Sequence, residues 1–80
     1  MDYTSLVRNG YAYTYALVDF TTGDIYTVSC EVGAIALRQL YKRMDSIIRE
    51  ARIFGSTHHL ALANCRTNKV LAEVKPLGND

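Results

Sequence analysis

The fold is decided by residues 11–32, which read YAYTYALVDFTTGDIYTVSCEV. Residues 11–20 and 24–32 are rich in Tyr, Val, Ile and Thr, the residue types that β-strands favour. Between them lies Thr21-Thr22-Gly23, which predicts a type I turn closed by a glycine in the left-handed region. We therefore predict an antiparallel β-hairpin over this stretch.

The turn also predicts the register of the hairpin and hence its two faces. If Phe20 pairs with Asp24, side chains alternate so that two sets lie on opposite faces. The face expected to pack into the core carries Ala16, Val18, Phe20, Tyr26, Val28 and Cys30. The face expected to stay open carries Tyr11, Tyr13, Tyr15, Leu17, Ile25 and Thr27. A slip of one residue would exchange the two faces, so this assignment depends on the turn.

Residues 33–54 predict one long amphipathic helix. At about 100° per residue, six side chains fall on one stripe. They are Leu37, Leu40, Tyr41, Met44, Ile48 and Ala51. Ile47 and Phe54 flank this stripe, and Gly55 supplies a C-terminal stop.

A second hairpin is predicted from residues 59–65 and 69–75, which flank Arg66-Thr67-Asn68. Asn68 is a residue type that tolerates the left-handed conformation of such a turn. If Cys65 pairs with Lys69, Ala63 faces Leu71. The inner face then carries Leu60, Leu62, Val70, Ala72 and Val74.

The predicted order of elements is β-β-α-β-β within a single domain over residues 1–80. The simplest way to bury the apolar faces is a four-stranded antiparallel sheet with the helix packed on one side, an α+β fold. The expected core is Phe20, Val28, Leu40, Met44, Ile48, Leu60, Leu62 and Val70. We also expect a short strand at residues 3–7 and a frayed tail at residues 76–80, whereas the sequence does not fix the strand order.

Composition excludes several classes of protein. The chain is 49% hydrophobic and 21% charged, which is an ordinary globular mixture. The net charge of +1 does not require a nucleic acid or a membrane as partner. Two cysteines are too few for a disulfide scaffold and lack the ligand spacing of a zinc site. With no signal peptide visible at the start, we expect a cytoplasmic protein without metal or cofactor.

A row of tyrosines is the first candidate binding surface. Tyr11, Tyr13 and Tyr15 alternate on one strand and share the expected open face with Leu17. Such a row can anchor a protein interface or stack nucleic-acid bases. It also fits a purely structural role, because tyrosine is a good strand former. We expect a partner contact here, with a homodimer as the default.

The polar side of the predicted helix is the second candidate surface. Arg38, Lys42 and Arg49 share one stripe, which Asp45 and Glu50 interrupt. This stripe could meet phosphates or an acidic protein surface. A solvated helix face with internal ion pairs gives the same pattern.

No catalytic residues are expected, and we predict a protein that is not an enzyme. His58 and His59 are adjacent, so on a strand they point to opposite faces and cannot chelate one metal as a pair. Cys65 and His59 share a face, but nothing local marks the thiol as activated.

The short chain, the β-β-α-β-β order and the lack of catalytic residues resemble the small inhibitor proteins that phages and mobile elements encode, including the anti-CRISPR proteins. The segment Asn68-Lys69-Val70-Leu71-Ala72 looks like a stretch in one such inhibitor of type I CRISPR complexes. The resemblance implies a protein-binding inhibitor or adaptor whose partner is a ribonucleoprotein effector complex of a bacterial defence system. The alternative is a small nucleic-acid-binding regulator that uses the basic helix face or the tyrosine-rich sheet face.

Overall fold

The computed structural model describes residues 1–76 of the chain. Its elements, in chain order, are a 3₁₀ helix (Tyr3–Leu6), β1 (Tyr13–Asp19), β2 (Ile25–Cys30), α1 (Gly33–Ile53), β3 (Leu60–Asn64) and β4 (Lys69–Val74). The four strands form one antiparallel sheet in the order β2-β1-β3-β4. The predicted α+β fold with the element order β-β-α-β-β is confirmed. From residue 77 onward, the predicted tail lies outside the described residues.

The register of the first hairpin differs by one residue from the predicted register. Ala16 pairs with Thr27 rather than with Val28, and Tyr15 pairs with Val28. Because neighbouring side chains of a strand point to opposite faces, this shift exchanges the faces of β1 relative to β2. The predicted faces are therefore wrong for β1, although the β2 side chains do face the core as predicted.

A longer turn causes this shift. The Asp19 N–H donates to the Asp24 carbonyl oxygen, and the Asp19 carbonyl oxygen accepts from the Gly23 N–H, each at 2.8 Å. The loop therefore spans residues 20–23, one residue more than predicted. Phe20, which was expected in the core, lies in this loop and is 44% exposed.

The main core lies between the sheet and the inner side of α1. Its buried side chains are Tyr15, Leu17, Ala36, Leu40, Met44, Leu60 and Leu62. Half-buried apolar residues complete it, among them Val28, Ile48, Ala72 and Val74. Val70, another predicted core residue, is exposed, because an irregularity beside Leu62 and Ala63 pairs Ala63 with Val70 instead of Leu71.

The opposite face of the sheet packs a second, smaller cluster of buried residues. These are Tyr3, Ala16, Val18, Ala63 and Cys65. The predicted N-terminal strand is wrong, because the Asp2 carboxylate accepts the Thr4 N–H at 3.0 Å and caps a 3₁₀ turn. The Tyr3 N–H donates to the Asn68 side-chain oxygen at 2.8 Å, which ties the N-terminal segment to the β3–β4 turn.

The end of α1 is fixed by its C-terminal cap. Gly55 has φ of 69°, in the left-handed region. The Ser56 N–H donates to the Ala51 carbonyl oxygen at 2.8 Å, and the Gly55 N–H donates to that of Arg52 at 3.1 Å. This pair of bonds is a Schellman motif, as the predicted glycine stop implied. Within residues 1–76, no helix is long and apolar enough to cross a membrane.

Candidate binding surfaces

The structure divides the predicted tyrosine row. Tyr15 and Leu17 are buried beneath α1, so their predicted place on an open face is wrong and neither can reach a partner in this fold. Tyr11 and Tyr13 remain exposed. The Tyr13 ring stacks on that of Tyr15, with centroids 6.2 Å apart. The Tyr13 ring and the Tyr15 hydroxyl lie against Gly33 at the start of α1, where an added Cβ would be 3.1 Å from the Tyr13 ring and 3.2 Å from the Tyr15 hydroxyl oxygen.

Two arginine side chains contact Tyr11, at the exposed end of the tyrosine row. The Arg8 guanidinium lies 5.5 Å from the Tyr11 ring centroid, within the range of a cation–π contact. The Arg66 guanidinium donates to the Tyr11 carbonyl oxygen. The tyrosine surface is thus reduced to the rings of Tyr11 and Tyr13, each of which already contacts another side chain of the chain. Two such rings offer little area for the predicted homodimer contact.

The three predicted basic residues all lie exposed on the solvent side of α1. Arg38, Lys42 and Arg49 fall on the side of the helix opposite its buried stripe. Arg49 donates to the Asp45 carboxylate at 2.8 Å, one helical turn away. Exposed pairs of this kind contribute only about 0.3–0.5 kcal/mol. Arg49 therefore fits a solvated helix face with internal ion pairs. Arg38 and Lys42 fit it less well, because neither has an ion pair within residues 1–76.

Exposed apolar side chains continue the basic stripe at both of its ends. Ile35 precedes it, and Ile53 follows it with 78% of its surface exposed. Phe54, at the C-cap of α1, is 83% exposed but lies about 120° from Lys42 around the helix. At about 100° per residue, Ile35 and Ile53 lie within about 20° of Lys42 around the helix. We call the side chains on this face together the outer stripe: Ile35, Arg38, Lys42, Arg49 and Ile53.

Sequence reasoning missed the apolar ends of the outer stripe. Phe54 was assigned to the flank of the buried stripe, but it lies at the C-cap of α1 and is exposed. Ile35 and Ile53 are 18 residues apart, which is five full helical turns. That spacing alone could have placed both on one face.

Charge is unevenly distributed over the chain. α1 holds five of the nine Lys and Arg residues but only two of the eight Asp and Glu residues. Its net charge is therefore +3, and the rest of the 80 residues carries −2. One basic residue of α1 turns towards the sheet, because the Arg43 guanidinium lies 4.8 Å from the Tyr26 ring centroid.

The two histidines each contact a carboxylate on their own side of the sheet. His58 Nδ1 lies 2.7 Å from Asp19 Oδ2, and His59 Nε2 lies 2.6 Å from Glu73 Oε2. Burial opposes the ionisation of Asp19, but hydrogen bonds from His58 and from two backbone N–H groups outweigh it and lower the Asp19 pKa. The hydrogen bond from His59 lowers the pKa of Glu73.

Cys65 is fully buried in the second cluster, and burial raises the pKa of its thiol. A thiol in that state is a poor nucleophile, so no reactive pair with His59 forms. Among residues 1–76, no group of three or more His, Cys, Asp and Glu side chains is arranged to hold a metal ion.

Comparison with protein-family models found no match, and searches of curated proteins and of solved structures found no significant match either. The fold is a small α+β domain in which the exposed cations Arg38 and Lys42 share one helix face with the exposed apolar residues Ile35 and Ile53.

Proposed function

We propose that the protein is a non-enzymatic inhibitor or adaptor that docks the outer stripe of α1 on an acidic surface of a protein partner. The observation that carries this proposal is the exposure of Ile53 and Phe54 beside a row of cations. Large side chains this exposed are costly to keep in water. Isolated exposed apolar residues need no explanation, but Ile53 and Phe54 are adjacent and lie at one end of a row of cations.

The dimensions of the outer stripe suit a protein interface. From Ile35 to Ile53 the helix extends over about 27 Å, at about 1.5 Å per residue. A standard interface buries about 800 Å² on each partner. Aromatic and arginine side chains supply most of the binding energy in such interfaces, and the stripe offers Arg38 and Arg49, with Phe54 exposed next to its C-terminal end.

The separation of charge favours an acidic partner and sets the orientation of binding. With +3 on α1 and −2 on the rest of the chain, an acidic surface attracts the helix in preference to the rest of the chain. This effect acts mainly on the association rate and weakens as salt is added.

The partner in this proposal is a ribonucleoprotein effector complex of a bacterial defence system, and the site of action is the host cytoplasm. The support is the resemblance to phage-encoded inhibitors, namely the small size, the element order and the segment from Asn68 to Ala72. That segment forms the end of the β3–β4 turn and the start of β4. The two free cysteines, Cys30 and Cys65, suit a reducing compartment.

Binding of nucleic acid by the same helix face is the second candidate, because Arg38 and Lys42 are exposed cations. Two phosphate contacts would give a log-affinity slope near −1.8 against log salt on duplex DNA, at about −0.9 per contact. The buried Tyr15 and Leu17 remove most of the sheet face from this alternative. We therefore place protein binding first.

A capture experiment with matched variants tests the proposal. Lys42→Glu reverses a charge in the outer stripe, and Lys69→Glu makes the same change on exposed β4. Tagged wild type and Lys69→Glu should retain one partner from DNase-treated bacterial lysate, and Lys42→Glu should lose it. Retention by Lys42→Glu, or a bound fraction that DNase releases entirely, would contradict the proposal.

A further inference from the structure

A cavity of about 130 Å³ opens between the C-terminal half of α1 and the end of β4. It forms where the helix, which packs mainly across β1 and β2, leaves the β4 side of the sheet less covered. Its apolar wall consists of Ile48, Ala51 and Val74. An apolar cavity of about 150 Å³ is large enough to bind benzene, so this one suits a group of about five carbon atoms.

Basic side chains line the same cavity. Two of them are cations: Arg52 comes from the last turn of α1 and Lys75 follows β4, while the imidazole of His58 precedes β3. Among the described residues, no Asp or Glu side chain lines it. The cavity therefore combines an apolar wall with a positively charged rim.

The third group on the rim, His58, is held in place by a buried carboxylate. Asp19 is 2% exposed, and its carboxylate lies 2.7 Å from His58 Nδ1. The N–H groups of Thr21 and Thr22 donate to the same carboxylate at 2.9 and 3.2 Å. The Asp19 carboxylate is thus already hydrogen-bonded to two backbone N–H groups and to His58. His58 Nε2 has no hydrogen-bond partner within residues 1–76, and it donates a hydrogen bond when the ring is protonated.

We propose that this cavity binds a carboxylate that carries an apolar group about the size of a leucine side chain. The apolar group packs on Ile48, Ala51 and Val74. The carboxylate is placed between Arg52 and Lys75, where His58 can donate to it. This site is separate from the outer stripe and does not depend on the partner proposed above.

A titration of the full ¹⁵N-labelled chain, followed by its amide NMR signals, tests the site. The probes are 4-methylpentanoate and 4-methylpentylamine, which share the apolar group and differ in charge. We expect saturable shifts at Ala51, Ser56 and Val74 with the acid and none with the amine. Equal binding of both probes, or shifts that do not saturate, would overturn the proposal.

Charge-neutralising variants locate the binding site. Arg52→Gln and Lys75→Gln change exposed side chains, so both variants should remain folded. Each should weaken binding of 4-methylpentanoate at least threefold, whereas Lys69→Gln at the other end of β4 should leave it unchanged. Equal weakening by Lys69→Gln would show a general charge effect and refute a defined site.

Two further probes distinguish the sources of such a carboxylate. N-acetyl-leucine presents it as the end of a protein chain does, and N-acetyl-leucinamide lacks the charge. Tighter binding of N-acetyl-leucine than of 4-methylpentanoate assigns the site to a chain terminus. Binding of 4-methylpentanoate alone assigns it to a free small acid, and binding of the amide as tightly as its acid contradicts the role of Arg52 and Lys75.

Discussion

Replacing Leu17 by alanine tests the observed register of the sheet. Leu17 is completely buried between β1 and the inner side of α1. Truncating a buried leucine costs about 2–5 kcal/mol, and a site enclosed by both layers should lie near 3–4 kcal/mol. The whole domain is expected to have a free energy of unfolding of about 4–12 kcal/mol. The Leu17→Ala variant should therefore lose a large fraction of its stability.

Phe20→Ala is the matched comparison, because the predicted register would place Phe20 rather than Leu17 in the core. In the structure the Phe20 ring is 44% exposed and packs on His59 with centroids 4.6 Å apart. Its loss should cost about 1 kcal/mol. With a urea slope of about 1 kcal/mol/M, the unfolding midpoints should fall by about 3–4 M for Leu17→Ala and by about 1 M for Phe20→Ala. The reverse order of midpoints would refute the register.

Three further results follow from the structure. The hydrogen bonds to Asp19 lower its pKa on folding, so its stabilising contribution is present above the unfolded pKa of about 3.9 and is lost as the pH falls through the folded pKa. Urea unfolding between about pH 2 and 5 should therefore show a shallower pH dependence of stability for Asp19→Asn than for wild type. Equal slopes would contradict the assignment. Gly55→Ala should lower the free energy of unfolding by about 1 kcal/mol, because φ of 69° is unfavourable for alanine; an unchanged melting temperature would argue against the C-terminal cap. Cys30 should react with a thiol reagent before Cys65, which is buried with a raised pKa; equal rates in the folded protein would show that the second cluster is open.

The elements of the fold could be predicted because local composition and periodicity encode them. The helix begins at Gly33 as expected and ends within one residue of the predicted end, at the glycine stop. Asn68, predicted to take the left-handed conformation, has φ of 58°. The register could not be derived in the same way, because it depends on which residue closes a loop. Phe20 looks like a strand residue, and only the backbone bonds of Asp19 to residues 23 and 24 show that β1 ends before it.

A candidate surface was predicted correctly where it depended on the helix period and wrongly where it depended on the strand register. Arg38 and Lys42 were expected to be exposed, and they are, because the helix period alone assigns its faces. The tyrosine row was expected to be open because its face depended on the register, and the one-residue shift buries Tyr15 and Leu17. The cavity beside α1 was missed, since it joins residues of α1, β4 and the segment before β3 that are distant in the sequence.

Calorimetric titration of the purified partner with two variants measures the central claim most directly. Lys42→Glu changes the outer stripe, and Tyr13→Ser changes the exposed end of the tyrosine row. The account predicts one copy bound per partner site, at least a tenfold loss of affinity for Lys42→Glu, and unchanged affinity for Tyr13→Ser. Loss of binding in Tyr13→Ser with full affinity in Lys42→Glu would contradict it and assign the contact to the tyrosine surface.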